Sequence, residues 1–219
     1  MHHRILLASA SPRRRELLTQ VGYLPVVEVA DVDETRRDGE HPTALCERLA
    51  SAKVTVVAAR AAQRRQPPSD ALTRDLGDTP RTAVGADTVV WSEAGLLLEK
   101  PLDREDSLRM LRALSGRTHR VTTGVAIAET FSGRLLESFT VTTVVRFRAM
   151  TEAEMLGYAA TREPYDKAGG YGIQGLAALF VESIEGSYTN VVGLPVEVLH
   201  ARLVALGRVP GLPWEGQWC

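Results

Sequence analysis

Apolar residues recur along this chain in two periods, and the changes of period mark its elements. Ile5 to Ala8 is a short apolar run with the character of a buried strand. Ser11-Pro12 then opens RRRELLTQVG, where Leu17, Leu18 and Val21 share one face and Gly22 stops the helix. Tyr23 to Val29 alternates like a strand and runs into the acidic loop DVDET. From Pro42-Thr43 a long helical pattern carries Leu45, Leu49, Ala52, Val56 and Ala59. Residues 63–81, QRRQPPSDALTRDLGDTPR, hold three prolines, many charges and almost nothing to bury, which predicts a solvated loop inserted within the domain.

Thr82 to Trp91 resumes as a strand, interrupted by Gly85-Ala86-Asp87-Thr88. A turn at Ser92 to Gly95 leads into LLLEKP, and Asp103 caps a helix that ends at Gly116. THRVTTGVAIAE and LESFTVTTVVRFRA are β-rich and joined by a Ser132-Gly133 turn, so they pair antiparallel. Thr151 caps TEAEMLGYAATR, with Glu154 supplying the acid of a capping box. Leu176 to Ile184 reads as a strand, and Pro195 to Leu206 as the last helix. Helices and strands mingle without strict alternation. The expected architecture is α/β with a mixed, twisted sheet flanked by helices, a single domain over residues 1–219 whose two lobes enclose a cleft, and a tail at 208–219.

Composition narrows the setting. With 26 basic and 27 acidic side chains in 219 residues, no global field favours nucleic acid or an anionic membrane, so any anion site must be local. Cys46 and Cys219 lack a disulfide pattern and are too few for a four-ligand metal site, which points to a reducing, cytoplasmic setting. No apolar run approaches the roughly twenty residues of a membrane span, and RILLAS has no signal-peptide core.

Five polar stretches could carry chemistry. EPYDKAGGYGIQG packs four glycines into residues 163–175, and Gly170, Gly172 and Gly175 match G-x-G-x-x-G. That dinucleotide pattern needs a strand before it and a helix after it, and this context supplies neither. In LASASPRRREL, Ser9, Ser11, Arg13 and Arg14 gather hydroxyls and guanidinium groups at a helix start, which suits a phosphate; a capped surface helix with a basic face is the plainer alternative. Asp31, Asp33 and Glu34 could hold Mg²⁺ or form an ordinary solvated acidic loop. Asp87 interrupts a β-branched strand, where a charge must be paired, hydrogen-bonded or metal-bound, and a buried arginine is one such partner. Lys53 and Lys100 each emerge from an apolar pattern as semi-buried cations. Together these groups are what a metal-assisted attack of water on a polyphosphate requires: cations on the phosphate oxygens, and a carboxylate to orient the water. There is no phosphate loop of the G-x-x-x-x-G-K-[ST] kind, no H-E-x-x-H and no G-x-S-x-G.

In LASASPRRREL, DVDET, the helix carrying Lys53, GADTVV, LEKP, LSGRTHRVTTGVA, EPYDKAGGYGIQG and GSYTNVVGLP, taken in that order, the chain resembles the Maf family of nucleoside triphosphate pyrophosphatases, related in fold to the inosine triphosphate pyrophosphatases. The resemblance implies cleavage between the α- and β-phosphates of a nucleotide, with a divalent cation (Mg²⁺ or Mn²⁺), in a cytoplasmic homodimer. It implies Asp87 as the proton acceptor, Glu34 and Asp87 at the metal, and Ser9, Arg14, Lys53 and Lys100 on the triphosphate. DKAGGYGIQG fits the loop of the group acting on dTTP and UTP, in which Arg13, Thr88 and Gln174 fall on base-selecting positions, with Asp166 and Lys167 bracing the loop or contacting phosphate. On this reading the glycines let the backbone approach a flat base, and the glutamine amide offers a donor and an acceptor to a pyrimidine edge. A sister group acting on 7-methyl-GTP ranks second, and a non-catalytic nucleotide-binding regulator of cell division is the competing class.

Overall fold

The computed structural model describes residues 3–64 and 80–212. Four of the five residues in RILLA are buried because its strand, β1 (Arg4–Ala8), lies inside a sheet covered on both faces. Its neighbours are β2 (Leu24–Val27) and β3 (Thr82–Ser92), both parallel to it. Beyond β3 the sheet turns antiparallel through β5 (Thr118–Glu129), β6 (Leu135–Phe147) and β7 (Val181–Glu185), while the two-residue β4 (Leu97–Leu98) pairs with the end of β3. The sheet is therefore mixed, as the pattern predicts.

Alternation along the central strands divides the core in two. Ile5, Leu7, Val84, Ala86, Val125 and Ile127 face the larger cluster, where α1 (Pro12–Gln20), α3 (Arg104–Leu114), α4 (Glu152–Ala159) and the last helix (Val196–Ala205) contribute Leu17, Leu18, Leu111, Leu114, Tyr158 and Leu199. Leu6, Ala8, Ala83, Ala126 and Ala128 face the other side and meet α2 (Pro42–Arg64). The small side chains on that side leave room for a helix to lie close.

How close is set by two glycines. A Cβ at Gly85 would stand 2.4 Å from the carbonyl oxygen of Ala50, and one at Gly124 would stand 2.3 Å from that of Cys46. Gly124 is also the register partner of Asp87. The backbone of α2 thus rests directly on the strand pair that carries the carboxylate.

The stripe of α2 facing the sheet is Cys46, Ala50, Val54, Val57, Ala58 and Ala61, all buried. Ala52, Val56 and Ala59, expected in the apolar face, are only half-buried; the helix is rotated so that its i, i+4 row of Ala and Val meets the glycines. A second row, Leu45, Leu49 and Lys53, lies along the adjoining edge and lines a cleft.

Other expectations need correction. Leu176–Phe180 forms a 3₁₀ turn, and only Val181–Glu185 is strand. The backbone N–H groups of Leu176 and Ala177 donate to the Glu163 carboxylate at 2.8 and 3.2 Å, so this segment is not free to extend. Of the expected 63–81 loop, Gln63 and Arg64 instead close α2, and Pro80 and Arg81 accept from Thr130; residues 65–79 lie outside the described residues. In the expected 208–219 tail, Val209 is buried in the core and Arg208 reaches Glu129 at 2.8 Å; Cys219 lies outside the described residues. Ser11 occupies the N-cap position of α1, but its side chain makes no capping bond; its N–H donates to Ser9 Oγ at 3.2 Å. Thr151 and Glu154 do form the expected capping box.

Gly124→Ala is expected to lose about 2–3 kcal/mol of unfolding free energy in urea, because the added methyl meets main chain of α2 that cannot rotate away. A variant as stable as the parent would mean that the helix does not depend on this close approach.

Candidate active site

Between the C-terminal end of β1, the middle of β3 and the edge of α2 lies a cleft of about 880 Å³. The strand pleat explains how β3 serves it from both faces. Asp87 points to the α2 side and meets Lys53, whereas Thr88, one residue on, points to the α1 side and meets Arg14. The Lys53 ammonium sits 2.7 Å from Asp87 Oδ1 and 2.7 Å from Glu34 Oε1. The side chains of Lys53 and Asp87 are 13% and 15% exposed, against 60% for Glu34, so the inner pair carries the electrostatic weight and the outer one is solvent-screened. One cation thereby holds two carboxylates that would otherwise repel.

Asp87 Oδ2 and Glu34 Oε2 keep no hydrogen bond among the described residues. Of the acidic loop, Glu34 alone lines the cleft. Asp33 is turned to its own backbone, accepting from Thr35 N at 2.9 Å, and that bonding holds its carboxyl below the usual range. Among the described residues no group of three or more His, Cys, Asp or Glu side chains could hold a metal. The two free carboxylate oxygens fit a hard cation that takes its remaining ligands from phosphate and water, as Mg²⁺ commonly does.

On the α1 side, Arg14 is anchored rather than available. Its Nε donates to Gly193 O at 2.8 Å, Nη1 to Ser9 Oγ at 2.9 Å and to Ala86 O at 2.8 Å, and Nη2 to Thr88 Oγ1 at 3.0 Å. Four of its five N–H groups are thus taken, leaving one Nη2 proton and the charge for a ligand. Burial lowers its pKa from the usual arginine value while Asp87 opposes the shift. Thr88 is equally committed, bonding Thr123 Oγ1 at 3.0 Å, its register partner on β5. Ser9 is different. Its oxygen accepts from Arg14 Nη1 and from Ser11 N, which fills both lone pairs and leaves its own O–H to donate into the cleft.

The opposite wall carries Lys100 and the glycine-rich segment. Lys100 is exposed, not semi-buried, and has no ion pair among the described residues, so its ammonium is free for an anion. Gln174 is likewise exposed with an unengaged amide. Arg13 reaches Asp166 at 3.0 Å, and Lys167 bonds both Asp166 and the carbonyl of Glu163, the latter at 2.7 Å. Apart from Asp31 and Asp33, the side chains proposed from the sequence line one cleft.

The glycines do not serve there as expected. Gly169 and Gly170 have φ of +76° and +67°, and a Cβ on them would stand 2.8 Å from Val90 and Pro101 respectively. At Gly172 and Gly175 it would meet Lys167 Cε at 2.8 Å and Glu163 Oε2 at 2.2 Å. The space they save faces the protein itself.

Three groups that sequence reasoning left without a role complete the site. Gly193, at φ +126°, turns its carbonyl to Arg14. Asn190 is fully buried and donates to Val121 O and Thr143 Oγ1, each at 3.0 Å; an amide inside the apolar run TNVVGLP was the available signal. His119 is fully buried with its Nε2 2.7 Å from the hydroxyl of Tyr171, a cleft residue, and its Nδ1 unpartnered. Burial pushes His119 down to about 4. No thiol chemistry is available at Cys46, which burial and then Asp87 push up to about 12.

Residues 4–206 match the profile of the Maf family, described as Maf-like protein. The chain belongs to the Maf family. It is 45% identical over 208 residues to a dTTP/UTP pyrophosphatase of Exiguobacterium sibiricum, covering 95% of each chain. It is 46% identical over 211 residues to one of Myxococcus xanthus, covering 96% of this chain and 95% of that one. A solved structure of a HAM1 protein from Coxiella burnetii aligns over 94% of this chain and 100% of its own at 14% identity, with a TM-score of 0.46, a likeness too loose to argue from. Among the described residues of this Maf protein no helix is long and apolar enough to cross a membrane.

His119 generates a pH prediction. Its folded pKa lies below the unfolded value near 6.5, so its neutral burial contributes full stability above pH 6.5 and loses it as pH falls toward about 4. His119→Gln should flatten the urea unfolding free energy across that window, by up to about 1.4 kcal/mol per pH unit. Parallel pH profiles for the two proteins would refute the buried neutral imidazole.

Proposed function

We propose that this protein hydrolyses dTTP and UTP to the nucleoside monophosphate and pyrophosphate. The observation that carries this reading is a single cleft that brings together Asp87, held by Lys53, the donating hydroxyl of Ser9, and a Lys100 ammonium and a Gln174 amide that have no partner among the described residues. The names of the 45% and 46% identical relatives support the pyrimidine nucleotides over 7-methyl-GTP and over a non-catalytic role.

In this scheme Lys100, Ser9 and the remaining N–H of Arg14 neutralise and orient phosphate oxygens. Asp87 accepts a proton from the attacking water. The water oxygen forms the new bond to phosphorus, the bridging P–O bond breaks, and its electron pair leaves with pyrophosphate. Lys53 holds the Asp87 carboxylate in place for that transfer through its 2.7 Å bond to Oδ1. A divalent cation, Mg²⁺ or Mn²⁺, when bound by Glu34 and Asp87, adds Lewis-acid charge neutralisation. Gln174, Arg13 and Thr88 select the base, while Asp166 and Lys167 brace the loop. The balanced charge of 26 basic and 27 acidic residues supports free nucleotide rather than nucleic acid or membrane as the partner, and we assign the enzyme to the cytoplasm as a homodimer on the family resemblance.

Pyrophosphate release from a panel of nucleoside triphosphates with Mg²⁺ or Mn²⁺ tests the reading, with Asp87→Asn alongside. The expected result is preferential release from dTTP and UTP, with kcat at least about 100-fold lower in the variant and nucleotide binding retained. Wild-type rates in Asp87→Asn would remove the base from Asp87, and release from 7-methyl-GTP alone would overturn the pyrimidine assignment.

A further inference from the structure

One carboxylate in the cleft wall is spent entirely on the loop that follows the glycines. Glu163 Oε2 accepts from Leu176 N at 2.8 Å, while Oε1 accepts from Ala177 N at 3.2 Å and from the Tyr158 hydroxyl at 2.9 Å. Tyr158 is buried in α4 against Phe180, with ring centroids 5.4 Å apart, so Glu163 ties the loop to a fixed part of the core. Gly175 closes over the carboxylate so tightly that any side chain there would overlap it, a Cβ standing 2.2 Å from Oε2. Its own backbone, at φ −112°, imposes no need for glycine. What requires glycine at 175 is Glu163. Gln174 stands between this clamp and the tightly packed Gly172, and its amide has no partner among the described residues to orient it.

From this geometry we infer that Glu163 is a positioning residue for base selection: it folds residues 172–177 around its carboxylate and so presents the Gln174 amide to the base. The inference rests on the pyrimidine nucleotide reading above. Glu163 acts through the loop and touches no reacting atom. Its effect therefore belongs to discrimination between bases, not to the phosphate chemistry at Asp87.

Two measurements test it. The first is the ratio of kcat/KM for dTTP to that for dCTP, whose base presents a different donor and acceptor edge. Glu163→Gln, which turns an N–H donor toward the clamped backbone donors, should lower that ratio about tenfold while kcat for dTTP falls far less. Combined with Gln174→Ala it should lower the ratio no further than Gln174→Ala alone. An equal loss for both nucleotides in Glu163→Gln would make Glu163 merely structural and overturn the proposal. A ratio unmoved by Gln174→Ala would overturn it too, while leaving hydrolysis intact; no hydrolysis of any nucleotide would instead be the failure of the function itself. The second measurement needs no substrate. Gly175→Ala should lower Tm by about 3 °C or more in the parent and by little in Glu163→Ala, where the obstructing carboxylate is gone. Equal losses in both backgrounds would show that the loop is not folded on Glu163.

Discussion

A single ammonium shared by two carboxylates is the interaction on which the rest of this cleft depends. Lys53 stands 2.7 Å from each of Asp87 and Glu34, on a helix that approaches β3 and β5 closely because residues 85 and 124 carry no side chain. A helix held an ångström or two farther away would leave Asp87 as an uncompensated charge inside a β-branched strand. The close packing of α2 on the sheet and the chemistry of the cleft are therefore one constraint. Local small residues in β1, β3 and β5 lead to close packing, and close packing to a carboxylate paired with Lys53 and fixed in the cleft wall.

The two sides of β3 divide the labour. On the α1 side Arg14, Ser9, Thr88, Thr123 and the carbonyls of Ala86 and Gly193 form a hydrogen-bonded floor in which the arginine is already committed. The floor's value lies in what it forces Ser9 to do, which is to donate outward. On the α2 side the carboxylate oxygens not taken by Lys53 remain open. Lys100 and Gln174 on the facing wall are likewise unpartnered among the described residues, so the open valences of the cleft are cationic, hydroxylic and amide donors with two carboxylate oxygens among them.

Much of this was legible in the sequence because it rests on local rules. Short apolar and β-rich runs located the central strands, Thr151 with Glu154 announced a capping box that forms, and Asp87 marked itself by being a charge in a strand. What was not legible depends on contacts distant in the chain. The burial phase of α2 is set by Gly85 and Gly124, which lie dozens of residues away, so Ala52, Val56 and Ala59 were misplaced. Leu176 to Phe180 has the composition of a strand, yet its first two N–H groups belong to Glu163, thirteen positions earlier for Leu176. The glycines of EPYDKAGGYGIQG invited a ligand explanation and turned out to make room for Val90, Pro101, Lys167 and Glu163. Lys100 shares with Lys53 an apolar approach in sequence, but a lysine inside a helix over a sheet and a lysine before a proline on a short edge pairing come to very different burial.

The shared ammonium is tested most directly by binding of Mn²⁺ to the nucleotide-free protein, followed by electron paramagnetic resonance, in the parent and in Lys53→Met. With the internal cation removed, Asp87 and Glu34 face each other uncompensated, and Mn²⁺ should bind at least about tenfold more tightly than in the parent. An affinity unchanged by the substitution would contradict the account, because it would mean that the two carboxylates and Lys53 do not act as a unit.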